Sequence, residues 1–481
     1  MNLKLLFNLD DDLKVTGIST DNRLVQPGDL FICIKGYTVD GHRFAKQAED
    51  AGAVAIICEH EVEGVTIPQI IVNDTSAELP RLAHIFFNQP TQQLNLFGLT
   101  GTNGKTTTAY ILEHLLSGFK SPVGYIGTNG IRYADVFLEP KNTTPEPLSL
   151  QRTFKEMVET GVENVAIEVS SHALELHRVD YCRFKVALFT NLTPEHLDFH
   201  PTMDEYFEAK YKLFEMLTKD GSAIVNVDDD YGIKLVERLT QNQINFYTYA
   251  LNQEADFQAI DVKMSKAGTT FNLLCPEGAF EIQTPLLGTF NVYNALGAIA
   301  AVYSAGMSMK LIQSLMATLS PVDGRMEIIN EGQDFTVIVD YAHTPDGVEK
   351  VLEFVTGIKE NSVKVVIGCP GDRDRTKRPV IAQLSVDYAD DVIFTTDDPH
   401  SEDPVEILNE MVAGVQEKKQ YEVIVDRIEA IEAAINKAQK NDIVLIAGRG
   451  HEQTQYWKSG NIKLDDREVA KEVLRKRLAS S

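Results

Sequence analysis

Short β-branched segments alternate with amphipathic helical segments along most of this chain, and few folds are compatible with that pattern. Strand-like segments cover residues 94–100, 165–169, 186–190 and 223–227, and helical patterns cover residues 107–117 and 204–217. Because parallel strands need a long crossover between them, which a helix usually supplies, the alternation predicts a parallel sheet covered by helices. The predicted fold class is therefore α/β.

A second series of strand-like segments predicts a separate doubly wound domain. It starts at residues 336–340 and continues through 364–368, 391–395, 422–425 and 442–446. Residues 318–326 between the two series contain the Pro and Gly expected of a linker. Residues 1 to 92 form a shorter unit with strands near 30–34, 53–58 and 69–72. The predicted domains span residues 1–92, 93–322 and 323–481.

Length, charge and cysteine usage exclude several classes of function. The chain has 481 residues, enough for three domains, and a net charge of -25, which disfavours nucleic acid and anionic membranes as partners. Its five cysteines show no CxxC spacing and are expected to be buried thiols. The apolar stretch at the N-terminus is too short for a signal peptide, and no run approaches the ~20 apolar residues of a membrane-spanning helix. We expect a cytoplasmic protein without membrane insertion.

The strongest local signal is the run Gly-Thr-Asn-Gly-Lys-Thr-Thr at residues 101–107, which follows an apolar strand and opens a helix. Glycines let backbone N–H groups approach phosphate oxygens, and the helix N-terminus adds a favourable dipole. Lys105 is expected to meet the β- and γ-phosphates, and Thr106 to ligate Mg²⁺. The spacing is shorter than that of the full P-loop. A phosphate cradle alone does not distinguish a switch from a kinase or a ligase.

Three further polar side chains are candidates for the same site. Glu168 ends a predicted strand, and a carboxylate there can reach a metal bound near the loop. His196 follows the next strand along the chain, which favours a place in the site over an ordinary loop histidine. Lys210 lies on the amphipathic helix 204–217, where a lysine is normally a solvated surface cation. Composition gives no reason to choose it over Lys212.

Seven motifs, taken together and in order, resemble those of the Mur ligases. They lie at residues 101–107, 142–145, 168–172, 191–193 with 196–198, 288–294, 340–344 and 447–452. The chain is most similar to the members that add the third residue of the peptidoglycan stem peptide, an activity that serves cell-wall synthesis, cell shape and division. The resemblance implies a small UDP-binding N-terminal α/β domain, a central P-loop-type parallel-sheet ATPase domain and a C-terminal Rossmann-like domain that receives the amino acid.

The resemblance also implies an ATP-dependent acid–amino-acid ligase that works through an acyl phosphate. ATP would phosphorylate the D-glutamate carboxylate of UDP-N-acetylmuramoyl-L-alanyl-D-glutamate, and the α-amine of the incoming amino acid would then attack it. Two Mg²⁺ ions would offset the repulsion between the carboxylate and the γ-phosphate. The enzyme is expected to act as a monomer.

The family's nucleotide, metal and catalytic roles carry over to named positions. The residues that match nucleotide contacts are Gly101, Thr102, Asn103, Gly104, Lys105, Thr106, Thr107, Asn294, Arg325 and Asp340. Those that serve the metals are Thr106, Glu168, His196 and Lys210, and the catalytic set is Lys105, Glu168, His196 and Lys210. Lys210 matches a lysine that is carbamylated in this family, which converts a cation into an anion. Arg325 and Asp340 would reach the nucleotide from the C-terminal domain, so domain closure would complete the site.

Substrate contacts carry over in the same way. Those for the UDP-linked dipeptide are Asn22, Tyr37, Thr38, Val39, Asn142, Thr143, Thr144, Ser170 and Arg178. Those for the incoming diamino acid are Arg373, Asp397, Asp398, Pro399, His400, Gly448 and Glu452. Two positions depart from the family pattern. Asn22 stands where many members have Ser, and Leu176 replaces a Gln that bonds the substrate in some members, so Leu176 is not counted as a contact.

The identity of the third amino acid depends on the run Asp-Asp-Pro-His at residues 397–400. Members that add meso-diaminopimelate carry Asp-Asn-Pro-Arg, whose Arg can pair with the distal carboxylate. Here the guanidinium is missing and Asp398 adds a negative charge, which favours a distal ammonium. The prediction is L-lysine, with meso-diaminopimelate as the alternative.

Two more distant alternatives stay open. A folylpolyglutamate synthetase-like ligase shares the central domain, but it would begin almost directly with the phosphate loop and lack the N-terminal unit. A non-catalytic P-loop nucleotide-binding protein of the guanine-nucleotide type would carry an Asn-Lys-x-Asp motif, which this sequence lacks.

Overall fold

The computed structural model describes residues 1–7, 13–36, 39–139, 141–195, 199–265, 268–416 and 420–480. These residues form three larger sheets flanked by helices, one in each of three domains, which confirms the predicted α/β class. We propose that the domain boundaries lie near residues 92 and 322. In the described part of the chain, no helix combines the length and hydrophobicity needed to cross a membrane.

The N-terminal domain is a small parallel sheet with helices. Its strands are β1 (Gly17–Ser19), β2 (Asp29–Ile32), β3 (Ala55–Cys58) and β4 (Gln69–Ile71), and its helices are α1 (Leu3–Phe7), α2 (Ala45–Asp50) and α3 (Thr75–Phe86). The strands pair in the order β1-β2-β3-β4. Every residue of β2 and β3 is buried, as expected of central strands in a parallel sheet. Asp74 starts α3 by accepting hydrogen bonds from the backbone N–H groups of Ser76 and Ala77.

The central domain carries the largest sheet. Its strands are β5 (Asn95–Thr100), β6 (Val123–Gly127), β7 (Gly130–Tyr133), β8 (Val136–Leu138), β9 (Asn164–Glu168), β10 (Phe184–Phe189), β11 (Leu217–Asn226), β12 (Phe246–Ala250), β13 (Phe257–Ser265), β14 (Gly268–Cys275) and β15 (Gly278–Thr284). Its helices are α4 (Lys105–Leu116), α5 (Pro147–Glu159), α6 (Ser171–Glu175), α7 (Met203–Glu215), α8 (Asp230–Gln241), α9 (Thr289–Ser304) and α10 (Met309–Met316).

The order of the central sheet is β15-β14-β13-β12-β11-β10-β5-β9-β6-β7-β8. Helices α4, α9 and α10 cover one face, and α5, α7 and α8 cover the other. Strand β5 pairs in parallel with β9 on one side and β10 on the other, so the ends of three neighbouring strands meet at one edge. Strands β6–β8 pair antiparallel with one another at one end of the sheet, as β13–β15 do at the other, and neither group was predicted.

The C-terminal domain is doubly wound around a second sheet. Its strands are β16 (Glu327–Ile329), β17 (Thr336–Asp340), β18 (Val363–Ile367), β19 (Asp391–Phe394), β20 (Glu422–Val423), β21 (Ile443–Ala447), β22 (Thr454–Gln455) and β23 (Ile462–Lys463). Its helices are α11 (Pro345–Gly357), α12 (Lys377–Tyr388), α13 (Pro404–Val412), α14 (Arg427–Lys437) and α15 (Asp466–Ser480). The main sheet has the order β16-β17-β21-β18-β19-β20, and β22 pairs with β23.

The central and C-terminal domains contact each other beside the phosphate loop. Met264 of β13 and Phe290 of α9 pack against the hydrophobic core of the C-terminal domain. The side-chain amide of Asn103 donates to Asp346 at the start of α11, over 2.7 Å. The carboxyl ends of β5, β9 and β10 therefore face the N-terminal end of α11.

Candidate active site

The phosphate loop between β5 and α4 is held by the residues that follow β10. The backbone N–H of Asn103 donates to the Asn191 side-chain oxygen over 2.9 Å, and the Thr190 hydroxyl donates to the Asn103 carbonyl over 2.7 Å. Gly104 has φ +85°, and a Cβ there would lie 2.3 Å from the side-chain oxygen of Asn294. A side chain at this position would therefore clash, and the short loop closes directly onto α4. The first N–H groups of α4 are left to bind an anion.

Two lysine side chains share one carbonyl oxygen of this loop. The ammonium of Lys105 donates to Gly101 O over 2.8 Å, and that of Lys210 donates to the same oxygen over 2.9 Å. Lys210 is only 2% exposed, and its ammonium lies 4.4 Å from the ring centroid of Tyr206. Burial, followed by the nearby charge of Lys105, holds the pKa of Lys210 well below its usual value.

The burial of Lys210 corrects the expectation of an ordinary surface cation. Lys212 is the surface residue, because its ammonium pairs with Glu175 over 2.9 Å at a half-exposed position. The two lysines are two positions apart on α7, so they point to different sides of the helix. Only Lys210 faces the phosphate loop.

Glu168 is fully buried at the end of β9, beside the loop. One carboxylate oxygen accepts from the Thr106 hydroxyl over 3.0 Å. The other accepts from the Tyr125 hydroxyl over 2.8 Å and from the backbone N–H of Thr128 over 3.0 Å. A Cβ at Gly127 would come within 2.2 Å of that second oxygen, so only glycine fits there.

The oxygen donors at this point fit Mg²⁺. Thr106 and Glu168 present a hydroxyl and a carboxylate at hydrogen-bond distance, and Mg²⁺ is usually held by one or two such groups together with water and phosphate. The described residues contain no cluster of three or more His, Cys, Asp or Glu side chains arranged for a metal. His196, which the family resemblance assigns to the metals, lies outside the described residues.

A cavity of about 670 Å³ extends from the phosphate loop to the C-terminal domain. Its walls include Asn103, Gly104, Thr107, Asn294, Arg325, Asp340, Tyr341 and His343. Six of the ten predicted nucleotide contacts thus line one space between the two domains. The other four, Gly101, Thr102, Lys105 and Thr106, are not part of its walls. Asn294 is fixed in its wall because its side-chain oxygen accepts from Thr108 over 3.2 Å and its amide donates to Asn291 over 2.9 Å.

Asp340 organises the C-terminal wall of this cavity. Its two carboxylate oxygens accept from the backbone N–H groups of Met326 and Ala342, each over 2.7 Å. Burial raises the pKa of Asp340, although the neighbouring Arg325 opposes that shift. Through these bonds Asp340 fixes the segment that carries Arg325.

Several predicted substrate residues gather around Glu168. The Thr144 hydroxyl donates to the Glu168 carbonyl over 2.8 Å and accepts from the backbone N–H of Ser170 over 3.1 Å. Arg178 donates to the Thr144 carbonyl over 3.2 Å, and the Thr143 hydroxyl lies 3.1 Å from that of Thr128. Asn142 is exposed nearby.

The predicted contacts of the N-terminal domain are more scattered. The side-chain amide of Asn22 donates to Gln47 over 2.7 Å at an exposed position, and Val39 is half exposed. Tyr37 and Thr38 lie outside the described residues. The roles of all these residues in substrate binding stay predictions.

A third group of predicted residues forms an acidic pocket at the ends of β19 and β21. Asp397 and Asp398 follow β19, and Gly448 and Glu452 follow β21. Among the described residues, one buried carboxylate oxygen of Asp397, Oδ2, has no hydrogen-bond partner. A Cβ at Gly448 would lie 2.5 Å from that oxygen. Burial, together with the charges of Asp397 and Asp398, raises the pKa of Glu452 to about 8.

Asp398 does not offer a free negative charge, which corrects the argument made from its sequence alone. Its carboxylate forms a buried ion pair with Arg449, whose guanidinium also donates to the carbonyls of Thr454 and Leu464 over 3.1 Å. Burial and the neighbouring Asp397 raise the pKa of Asp398 to about 6. Arg449, which balances the charge of Asp398, follows Gly448 at the end of β21 and is fifty-one positions away along the chain.

His400 and Arg373 lie on two loops that are fixed to each other. The imidazole of His400 stacks on the Tyr456 ring at 5.7 Å, and burial followed by the charge of Arg373 lowers the pKa of His400. Arg373 itself donates to the carbonyl of Asp372 over 3.1 Å. The Asp372 side chain accepts from the Ser401 hydroxyl over 2.6 Å, and thus joins the two loops.

Some functional positions escaped the sequence reasoning. Tyr125 of β6 and Thr128, the residue after β6, bond Glu168, and nothing along the chain indicates that β6 lies next to β9. Arg449 and Asn191 stand inside motifs that were recognised, so their position was a usable signal. Asp346 lies two residues beyond such a motif.

Comparisons with known proteins agree with this arrangement. Family models match residues 14–86 (Mur ligase family, catalytic domain), residues 99–302 (Mur ligase middle domain) and residues 324–450 (Mur ligase, glutamate ligase domain). A relative from Geobacillus thermodenitrificans, UDP-N-acetylmuramoyl-L-alanyl-D-glutamate--2,6-diaminopimelate ligase, is 48% identical over 470 residues, 96% of this chain and 95% of that protein. Its Bacillus cereus counterpart is 45% identical over 471 residues, 97% of this chain and 95% of that protein.

A solved structure supports the same relationship. A protein with the same name as these relatives has a TM-score of 0.72 and 33% identity to this chain, and the match covers 99% of both chains. All three of these proteins are named for adding 2,6-diaminopimelate. The comparisons therefore favour the alternative of the sequence analysis and give no support to L-lysine.

Proposed function

The chain belongs to the Mur ligase family, and we propose that it uses ATP to join meso-diaminopimelate to UDP-N-acetylmuramoyl-L-alanyl-D-glutamate. The observation that carries this choice is the buried Asp398–Arg449 ion pair. The negative charge that favoured a distal ammonium is already balanced, so it gives L-lysine no advantage. The names of the relatives support the same choice.

The distal carboxylate of diaminopimelate would find hydrogen-bond donors on the loops of Arg373 and His400. Arg373 lies close enough to lower the pKa of His400, and its described hydrogen bond is to a carbonyl, not to a carboxylate. A guanidinium in that state can still form a charge-assisted pair with a substrate carboxylate. L-Lysine has no distal carboxylate to make such a pair.

The reaction proposed for this site has two steps. A carboxylate oxygen of the D-glutamate residue attacks the γ-phosphorus of ATP, so that a C–O–P linkage forms and the bond to ADP breaks. The neutral α-amine of diaminopimelate then attacks the acyl carbon, phosphate leaves with the bonding electrons, and the amine loses a proton. The first step gives the carboxyl carbon a good leaving group, which the second step requires.

The phosphate loop and its neighbours would bind and orient the triphosphate. The N-terminal end of α4 would face the phosphates, and Lys105 would leave the loop carbonyls to pair with them. Thr106 and Glu168 would hold Mg²⁺, together with His196 and a modified Lys210 if the family pattern applies. When bound, the metal offsets the repulsion between the carboxylate and the γ-phosphate.

Carbamylation of Lys210 would resolve a conflict at Gly101. Two lysine nitrogens share one carbonyl there, and burial favours the neutral amine of Lys210. A neutral amine can attack CO₂, forming an N–C bond and releasing one proton, which leaves an anionic carbamate. The site would then contain one cation and one anion in place of two amines.

The acidic pocket would hold the amino group of the incoming amino acid. Among the described residues, Asp397 offers a buried carboxylate oxygen without a hydrogen-bond partner, and Glu452 offers a second carboxyl group, whose ionised form gains population as pH rises toward 8. These groups attract an α-ammonium ion and can accept hydrogen bonds from it before it reacts.

The test is a direct comparison of the two amino acids. Purified protein is given the UDP-linked dipeptide, ATP and Mg²⁺ with either meso-diaminopimelate or L-lysine, and both phosphate release and the mass of the tripeptide product are measured. We expect product with diaminopimelate at a kcat/KM at least ~10-fold above that with L-lysine, the factor that one hydrogen bond to a charged group provides. Turnover with L-lysine alone would contradict the proposal.

Two neighbouring arginines provide a matched pair of variants. Arg373→Gln is expected to lower kcat/KM for diaminopimelate by about 10- to 100-fold, since it removes charge-assisted hydrogen bonds. Arg375→Gln is the control, because Arg375 is exposed and pairs with Glu402 and Glu410. Equal losses in the two variants would show that Arg373 has no special role in substrate binding.

A further inference from the structure

Tyr341 lies between the nucleotide cavity and the acidic pocket, and none of the roles described so far belongs to it. It forms part of the cavity wall, and the guanidinium carbon of Arg325 lies 4.4 Å from its ring centroid. Its hydroxyl donates to the Glu452 carboxylate over 3.4 Å. One side chain therefore contacts a predicted nucleotide residue with its face and a predicted amino-acid residue with its tip.

The surroundings of Tyr341 leave it little freedom to move. The His343 and His451 rings approach it with centroid distances of 4.8 and 5.1 Å. A Cβ at Gly450 would lie 2.7 Å from the Tyr341 Cβ, so the loop after β21 comes close to the tyrosine because it has a glycine there. A shift of Tyr341 would displace either Arg325 or Glu452.

We propose that Tyr341 is a positioning residue that couples the nucleotide cavity to the pocket for the incoming amino acid. Its ring supports Arg325 through a cation–π contact, and its hydroxyl orients the Glu452 carboxylate toward the amine. This inference rests on the proposed function, because it takes Glu452 as the group that meets the amine.

The Tyr341 hydroxyl differs from the other groups near Glu452 because it is an uncharged hydrogen-bond donor. Asp397 and Asp398 are the other acids in the pocket, and the Arg449 guanidinium is already paired with Asp398. A phenolic O–H can bond the Glu452 carboxylate without adding charge to this crowded site. Loss of the hydroxyl should therefore disturb the orientation of Glu452 and leave the charges around it unchanged.

Tyr341→Phe separates the two contacts, because it keeps the ring and removes the hydroxyl. We expect an unchanged KM for ATP and a KM for the diamino acid that rises about 3- to 10-fold, the range for one lost hydrogen bond. Tyr341→Leu removes both contacts and should raise both KM values. Tyr421→Phe is the control, since Tyr421 is an exposed tyrosine of the same domain that packs on Phe394.

A double-mutant cycle with Glu452→Gln tests the coupling itself. If the hydroxyl acts through Glu452, the double variant should lose less than the product of the two single losses in kcat/KM for the amino acid. Wild-type tripeptide synthesis is measured first, and its absence with every diamino acid would overturn both the proposed function and this inference. Three results with an active wild-type enzyme would overturn this inference alone. Tyr341→Phe could leave the KM for the diamino acid unchanged, it could raise the KM for ATP, or the losses in kcat/KM of the two single variants could multiply in the double variant.

Discussion

The C-terminal helix is attached to its domain by an ion pair whose contribution to stability can be measured. Arg427, the first residue of α14, donates to both carboxylate oxygens of Asp466, the first residue of α15, over 2.9 and 2.7 Å. The two side chains are 1% and 0% exposed. Arg427 also donates to the Ala447 carbonyl over 2.9 Å, so the pair joins both helices to the end of β21.

Asp466→Asn removes the negative charge and keeps the shape of the side chain. The guanidinium would stay buried without a counter-charge, which costs about 3–5 kcal/mol in the free energy of unfolding. A matched control lies on the same helix, where Arg475 donates to both carboxylate oxygens of Glu331 over 2.8 Å but is 64% exposed. Glu331→Gln should cost at most ~1 kcal/mol, because water already solvates this pair.

The assay uses the single tryptophan of the chain. Trp457 lies in the C-terminal domain, so its fluorescence reports the unfolding of that domain in the full-length protein. With a urea m-value of about 2 kcal/mol/M, Asp466→Asn should lower the unfolding midpoint by about 1.5–2.5 M and Glu331→Gln by less than ~0.5 M. Equal shifts for the two variants would refute the argument that burial makes the first pair important.

Three other predictions concern activity. Lys210→Ala should abolish phosphate release, and millimolar short-chain carboxylates should partly restore it, whereas Lys212→Ala should stay active. A fully active Lys210→Ala enzyme would contradict the proposal that Lys210 is carbamylated. Because burial raises the pKa of Glu452 to about 8, its ionised form gains population as pH rises toward 8, so kcat/KM for the diamino acid should rise over that range. Glu452→Gln should show a shallower rise, because only the deprotonation of the α-amine remains. Asp346→Ala loses the bond to the phosphate loop and should raise the KM for ATP about 3- to 10-fold; an unchanged KM would show that this contact does not matter for nucleotide binding.

The buried parallel strands were predictable because a continuous apolar run has one simple physical cause. Strand β17 has the predicted bounds, β5 begins one residue later than predicted, and β9 is shifted by one residue toward the N-terminus at both ends. Strands β13–β15 were missed because only one of their faces is buried. Along the second half of β15 exposed and buried residues alternate, which is the period-two pattern of a sheet covered on one side.

Candidate site residues were predictable from the sequence where they lie at or just beyond the end of a strand. They were not predictable where their position depends on how a helix packs. Gly104, Thr106 and Glu168 follow that rule, since each lies at or beyond the end of a central strand. Lys210 and Lys212 have the same side chain and lie on the same helix, so only the packing of α7 on the loop distinguishes them. That packing also lowers the pKa of one amine and leaves the other paired at the surface.

Asp398 shows why a charge in a motif cannot be interpreted without its partner. Considered alone, a carboxylate in place of an amide attracts a cation, and this reasoning favoured L-lysine. The fold places Arg449 against it, because only β18 separates β21 from β19 in the sheet, so the segments that follow these two strands leave the same edge. The Arg449 guanidinium offsets part of the Asp398 charge, so we expect selectivity to depend more on charged groups that have no ion-pair partner. Within the described residues Arg373 bonds only a carbonyl, and we propose that its guanidinium pairs with the distal carboxylate of diaminopimelate, which L-lysine lacks.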